Sequence, residues 1–194
     1  CNVPSFVYKK EITIPVEGIG DVSCSISYGG AFYVFVEQEK LGLTVLPENT
    51  SELVKRAMEI KNWANANLNI VHPENPEICG IYGVIITTPV TKTDYGCSSR
   101  HICVFAEGAV DRSPCGSGTS ARMALLCSRG ELKVGEEFCA AGIIDTKFNG
   151  KVLEAAKVGD YDAIIPKVGG PAWITGFDQF VLDSEDPLPE GFLL

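Results

Sequence analysis

Apolar and polar positions change their rhythm several times along the chain, and each rhythm predicts a different element. Segments Phe6–Val16, Val22–Tyr28 and Phe32–Val36 are short, rich in Val, Ile, Tyr and Phe, and separated by glycine-bearing turns at Gly18-Ile19-Gly20 and Gly29-Gly30. This pattern predicts a β-meander. The spacing then becomes helical: Leu53, Ala57, Ile60 and Ala64 recur at intervals that fall on one face, predicting an amphipathic helix over 50–66. Asn49 and Glu52 are placed for a capping box at its start. Asn49-Thr50-Ser51 also matches a glycosylation sequon, but capping accounts for the same residues. Strands are expected at Tyr82–Thr88 and His101–Ala106, with the polar stretch Thr91–Arg100 as a long hairpin connection.

A second helix is predicted from Thr119 to Arg129. Ala121, Met123, Ala124, Leu125, Leu126 and Cys127 cover nearly its whole circumference, which marks a buried helix, and Gly130 stands where a terminating glycine would. Short strands are expected again at Phe138–Ile144, Lys151–Leu153, Ala163–Pro166, Trp173–Thr175 and Phe180–Leu182. The predicted class is α+β: mainly antiparallel strands wrapped around a central buried helix, plus an accessory helix.

Composition narrows the function. Sixteen Lys and Arg against 25 Asp and Glu give a net charge of −9 and a pI near 4.7, the wrong sign for gripping a nucleic acid. The longest apolar runs fall far short of the roughly 20 residues that span a bilayer, so no membrane partner is expected. The chain opens Cys1-Asn2-Val3-Pro4, without a basic or apolar leader, and reads as a fragment or processed piece. The 8 cysteines are too sparse for a disulfide scaffold and are expected to be reduced, as in the cytoplasm. They form no C-x-x-C pair, and His72 and His101 are isolated, so no metal site is expected.

The segment richest in chemistry is Asp111-Arg112-Ser113-Pro114-Cys115-Gly116-Ser117-Gly118-Thr119-Ser120-Ala121. It places a thiol at the mouth of the buried helix, where unpaired N–H groups and the positive dipole end stabilise a thiolate and cradle a carboxylate. Gly116 and Gly118 leave room for a ligand to approach the backbone, and Asp111 offers a negative charge to an ammonium group. Together these point to a zwitterion, an amino acid. Other readings are weaker. Cys24, Cys79, Cys97, Cys103, Cys127 and Cys139 read as small buried hydrophobes. Asp111, without its context, reads as a turn or cap residue. Gly116-x-Gly118-x-x-Ala121 loosely fits a dinucleotide fingerprint, but the flanks are not those of a parallel βαβ unit. Nothing in the sequence aims His101 at Cys115 for a Cys–His pair.

The same segment resembles the second-cysteine motif of the proline racemase family, which includes hydroxyproline 2-epimerases and trans-3-hydroxyproline dehydratases. Asn2–Val7, Tyr28–Tyr33, His72–Glu74, Ile81–Gly83, Val104–Ala106, Thr175-Gly176 and Asp186-Pro187 with Gly191-Phe192 resemble further family landmarks in order. The resemblance implies a cofactor-independent isomerase of two similar lobes in the diaminopimelate-epimerase-like fold, with one catalytic cysteine on each side of the substrate α-carbon. Carried over by motif position, Cys115 is one acid/base, Asp111 binds the substrate amine, and the N–H groups of Gly116 and Ser117 hold the carboxylate of proline or hydroxyproline. The family's Cys-Gly-His motif belongs to the first lobe and does not occur here, so residues 1–182 correspond to the second lobe and 183–194 to a tail directed toward the first. Taken alone, such a lobe is expected to be inactive and to expose an apolar face that invites homodimerisation. Two departures stand out: Ser25 replaces an often acidic residue, and Ser117 replaces a common Thr. Cys115 favours racemisation or epimerisation over dehydration. Dehydration, or amino-acid binding without turnover, is the alternative.

Overall fold

The computed structural model describes residues 1–192. Ten strands and two helices follow in the order β1 (Ser5–Val16), β2 (Gly20–Tyr28), β3 (Phe32–Glu37), α1 (Thr50–Asn67), β4 (Gly83–Thr87), β5 (Thr91–Thr93), β6 (Gly96–Phe105), β7 (Ala109–Val110), α2 (Gly116–Ser128), β8 (Glu137–Ala141), β9 (Lys147–Val158) and β10 (Tyr161–Gly169). The predicted meander is β1-β2-β3, paired antiparallel. The sheet runs β4-β3-β2-β1-β10-β9-β8-β6, and a β4–β6 pairing returns the last strand to the first. Those eight strands therefore close into a barrel, leaving β5 and β7 as appendages of β6. The pairings are antiparallel except β3–β4 and β6–β8.

Strand β6 makes closure possible. Its first half, Gly96–Arg100, pairs with β8, and its second half, His101–Phe105, pairs with β4. The polar stretch Thr91–Arg100 is therefore ladder and not a bare connection. Its polar residues are explained by alternation, since Ser98 and Arg100 are only half-buried while Cys97 and Ser99 are buried.

Strands β3 and β4 and the second half of β6 are buried on both faces, which explains their near-continuous apolar runs. Val34, Val36, Val84, Ile86, Ile102 and Val104 share one cluster with the apolar stripe of α1. Tyr33, Phe35, Ile85 and Cys103 alternate to the other side and meet Cys115, Ala121 and Leu125 of the α2 region. Helix α2 also packs on β1, β2, β9 and β10 and is buried from Gly118 to Leu126. Its apolar circumference is the consequence of having strands on several sides.

Three local expectations are corrected. The capping box does not form: a short 3₁₀ turn, Pro47–Asn49, leads into α1, Asn49 donates to the backbone and hydroxyl oxygens of Thr44, and Glu52 pairs with Arg56 at 2.9 Å. Helix α2 begins at Gly116, three residues before the predicted start, with Cys115 itself as the cap; Gly130, at φ 73°, ends it as expected. Finally, Trp173–Thr175 and Phe180–Leu182 form no strands. Residues 170–192 lack helix or strand and are exposed, because no neighbouring edge pairs with them.

Candidate active site

Cys115 sits at a backbone position that the chain holds in an unusual conformation, φ 65° and ψ 119°, outside the common region for a residue with a side chain. The preceding loop accounts for it. One carboxylate oxygen of Asp111 accepts hydrogen bonds from the backbone N–H (2.8 Å) and hydroxyl (3.0 Å) of Ser113, and the Ser113 oxygen accepts from the Cys115 N–H at 3.0 Å. The Pro114 carbonyl accepts from Nε2 of His101 and, at 3.1 Å, from the Thr119 hydroxyl. Burial lowers the His101 pKa to about 4, so its ring is neutral and serves as a donor that pins the loop. His101 thus orients the turn without touching the sulfur. A loop held this fully keeps a strained residue in place.

Hydrogen-bond donors surround the Cys115 sulfur. It accepts from the Gly118 N–H at 3.3 Å, and the hydroxyls of Tyr33 and Ser117 lie 3.5 and 3.6 Å away. The Cys103 thiol, in the same buried cluster, is the largest influence on it. It outweighs burial and, with Tyr33, Ser117 and Gly118, brings the Cys115 pKa down to about 6. Cys103 is pushed in the opposite direction by Cys115 and by burial, and Tyr33 is raised by burial and by Cys115. Both neighbours therefore stay protonated beside one thiolate. Such a thiolate is stabilised by donors aimed at it and by the helix N-terminus.

The sulfur opens into a cleft of about 440 Å³ lined by Gly30, Ala31, Tyr33, Tyr82, Phe105, Asp111, Cys115, Gly116 and Ser117. All four residues expected at a site are brought together here. The N–H groups of Gly116 and Ser117 are the first two of α2 and have no acceptor among the described residues. Gly118 departs from expectation: a Cβ there would lie 2.5 Å from Ile85 Cδ1, so its missing side chain serves packing and not ligand approach. At Gly116 a Cβ would meet nothing within 4 Å.

Tyr33, Tyr82 and Phe105 lie in segments that resemble family landmarks, but nothing in the motifs assigns them, or Cys103, to the site. Tyr33, Gly83 and Phe105 are register partners across β3, β4 and β6, and Gly83 lacks a Cβ where one would fall 2.6 Å from the Val104 carbonyl. Strand alternation gives Tyr33 with Phe35, and Cys103 with His101, a common face; only the closed ring shows that this face meets Cys115. Of the cysteines read as buried hydrophobes, Cys24, Cys97 and Cys103 are buried and Cys127 and Cys139 half-buried, whereas Cys79 is exposed in an irregular loop between α1 and β4. Among the described residues no cluster of three or more His, Cys, Asp or Glu is arranged for a metal. No helix among the described residues is long and apolar enough to cross a membrane.

The lowered thiol pKa has a direct test. Alkylation of Cys115 by iodoacetamide, followed by mass spectrometry of its peptide, should titrate with a midpoint near 6, against about 8.5 for an unperturbed thiol. Because thiolate is the reactive form, the rate falls about tenfold one unit below the midpoint and is flat well above it. Tyr33→Phe removes one donor and should move the midpoint upward. A wild-type midpoint near 8.5 would remove the electrostatic account of the site.

Comparison with known proteins follows the same lines. The sequence model of the proline racemase family matches residues 1–193. A proline racemase of Clostridioides difficile is 42% identical over 193 residues, covering 100% of this chain and 57% of the relative. A trans-3-hydroxy-L-proline dehydratase of Bacillus cereus is 43% identical with the same coverage. The chain thus spans a little over half the length of the curated relatives it matches. A crystal structure of a hydroxyproline epimerase from Agrobacterium vitis with bound trans-4-hydroxy-L-proline superposes with a TM-score of 0.86 at 36% identity, over 100% of this chain and 55% of that one. Motif, fold and sequence agree over the whole described length, and the chain belongs to the proline racemase family.

Proposed function

We propose that this chain is the second lobe of a cofactor-independent proline or hydroxyproline racemase or 2-epimerase, with α2 as its central helix and Cys115 as one of two acid/base groups. The observation that carries this reading is the Cys115 thiol, lowered to about 6 where an open cleft meets the start of α2. In the forward step the thiolate takes the proton from the substrate α-carbon, leaving the electron pair delocalised into the carboxylate. An acid from the other lobe then returns a proton to the opposite face, inverting the centre. In the reverse direction the roles exchange, and the Cys115 thiol donates. The free N–H groups of Gly116 and Ser117 hold the carboxylate as its charge grows. Asp111 meets the substrate ammonium with the carboxylate oxygen that Ser113 leaves unused.

The exposed apolar run through Trp173, Ile174, Phe177, Phe180, Val181 and Leu182 is assigned to contact with the first lobe, together with residues 183–192 of the tail; its last two residues, 193 and 194, lie outside the described residues. The lobe alone is inactive because a single face cannot invert a centre, and its uncovered face favours homodimers. All eight cysteines are free, which suits the reducing cytoplasm.

A second reading has one observation in its favour: the dehydratase relative is as similar as the racemase, at 43% against 42% identity. Elimination of water from a 3-hydroxyproline begins with the same α-proton abstraction. The two-lobed protein, incubated in deuterated buffer with L-proline, D-proline and the hydroxyprolines, separates the readings. Deuterium at Cα of both enantiomers or epimers supports isomerisation, whereas a cyclic imine formed from 3-hydroxyproline supports dehydration. Substrate binding with neither outcome overturns both.

A further inference from the structure

A second cavity, of about 310 Å³, is distinct from the Cys115 cleft. Its walls include Lys10 and Glu11 of β1, Ser25 of β2, Glu37 of β3, Arg122 from the middle of α2 and Arg129 at the helix end. Arg122 is its unexplained residue. It is 3% exposed, its Nε is buried without a hydrogen-bond partner, and among the described residues no carboxylate lies within ion-pair distance of it. Burial lowers its pKa, but only to about 10, so it is charged at neutral pH. A buried cation without a counterion is costly, and its removal from water has to be offset by a charged partner.

Among the described residues no group provides that partner: Glu131 and Glu37 act on Arg122 only from beyond ion-pair distance. Cys24, on the cavity wall, is pushed up to about 12 by burial, and Cys97 is also raised by burial, so neither supplies a thiolate. Glu37 is engaged by Arg129 at 3.0 Å and Lys40 at 3.8 Å, and Glu11 accepts from the Ser23 hydroxyl. Lys10, Lys40, Arg122 and Arg129 thus face the two carboxylates of Glu11 and Glu37, a local excess of positive charge in a chain whose net charge is −9.

We infer that this cavity is an oxyanion site in which a small phosphate- or carboxylate-bearing ligand completes the pairing of Arg122. A guanidinium presents its donors as a fork that matches the two oxygens of either group. The cations of Lys10 and Arg129 add attraction at the mouth, and the Ser25 hydroxyl, 3.4 Å from Nη2 of Arg129, is a further polar group on the wall. The site lies on residues separate from the thiol chemistry and does not depend on it.

The two ligand sources are distinguished by titrating inorganic phosphate and acetate separately, at ionic strength held constant with sodium chloride, and following the thermal unfolding midpoint. A saturable rise with phosphate alone identifies a phosphate-type ligand, and one with acetate identifies a carboxylate; either supports the site. Ser25→Asp places a carboxylate on the same wall. It should weaken the binding at least tenfold while raising the midpoint of the anion-free protein. Lys10→Ala, at an exposed strand position, should weaken binding several-fold with little change in the anion-free midpoint, and serves if Ser25→Asp does not fold. No saturable response to either anion, or a response left unchanged by these substitutions, overturns the proposal.

Discussion

Replacing Cys115 by serine in the two-lobed protein is expected to lower α-proton exchange of proline or hydroxyproline by about 10³-fold, within the range that a positioned acid/base group contributes. The change is nearly isosteric, and the Gly118 N–H that meets the sulfur at 3.3 Å remains free to meet an oxygen. What is lost is acidity. Cys103, Tyr33, Ser117 and Gly118 bring a thiol to about 6, but a serine hydroxyl starts so much higher that the same neighbours leave it protonated. Circular dichroism and the unfolding midpoint should be close to wild type, and substrate binding should persist, because the carboxylate and amine contacts are made by Gly116, Ser117 and Asp111. Exchange by Cys115→Ser above a tenth of the wild-type rate would exclude Cys115 as the acid/base.

Gly29→Ala is expected to be among the most damaging single-methyl changes in the described structure. A Cβ at Gly29 would lie 2.3 Å from the Ser117 carbonyl oxygen and 2.5 Å from the Ala121 nitrogen. Both are backbone atoms of α2, so no side chain can rotate away and the helix itself must shift. The expected loss is about 3 kcal/mol or more, at the upper end of overpacking costs, read as a lower urea midpoint at unchanged slope. Movement of Ser117 would also carry its hydroxyl away from Tyr33, now 2.7 Å distant, and so disturb the donors to the sulfur. Gly116→Ala is the matched control. Its Cβ meets open space and alanine is the better helix former, so stability should be unchanged or slightly improved. Equal midpoints for Gly29→Ala and wild type would show that β2 does not abut α2 as described.

The contrast between these glycines shows where reading the sequence succeeds. Gly116 belongs to a local motif, and its part in the start of a helix follows from residues close to it in the chain. Gly29 reads as an ordinary turn residue, because the helix it touches lies some ninety positions later. Cys103 differs from Cys24 and Cys97 for the same reason. All three are buried thiols on strands, yet only Cys103 faces Cys115 and perturbs it. The tail was misread for a complementary cause: Phe180–Leu182 has the composition of a strand, but a strand needs an edge to pair with, and none is offered to it.

By itself the sequence determined the elements with strong periodicity, the meander β1-β2-β3 and the stripe of α1, and it located the thiol at a helix start, because side-chain spacing and helix-end electrostatics are local properties. The motif also placed Asp111, Gly116 and Ser117 beside that thiol, since these residues are joined to it by a few peptide bonds. Closure of eight strands into a barrel, the splitting of β6 between two partners, and the convergence of Tyr33 and Cys103 on the sulfur were decided only by the tertiary structure. Each depends on contacts between residues far apart in the chain, where loop closure and competition among possible strand pairings, and not the preference of any single segment, select the arrangement.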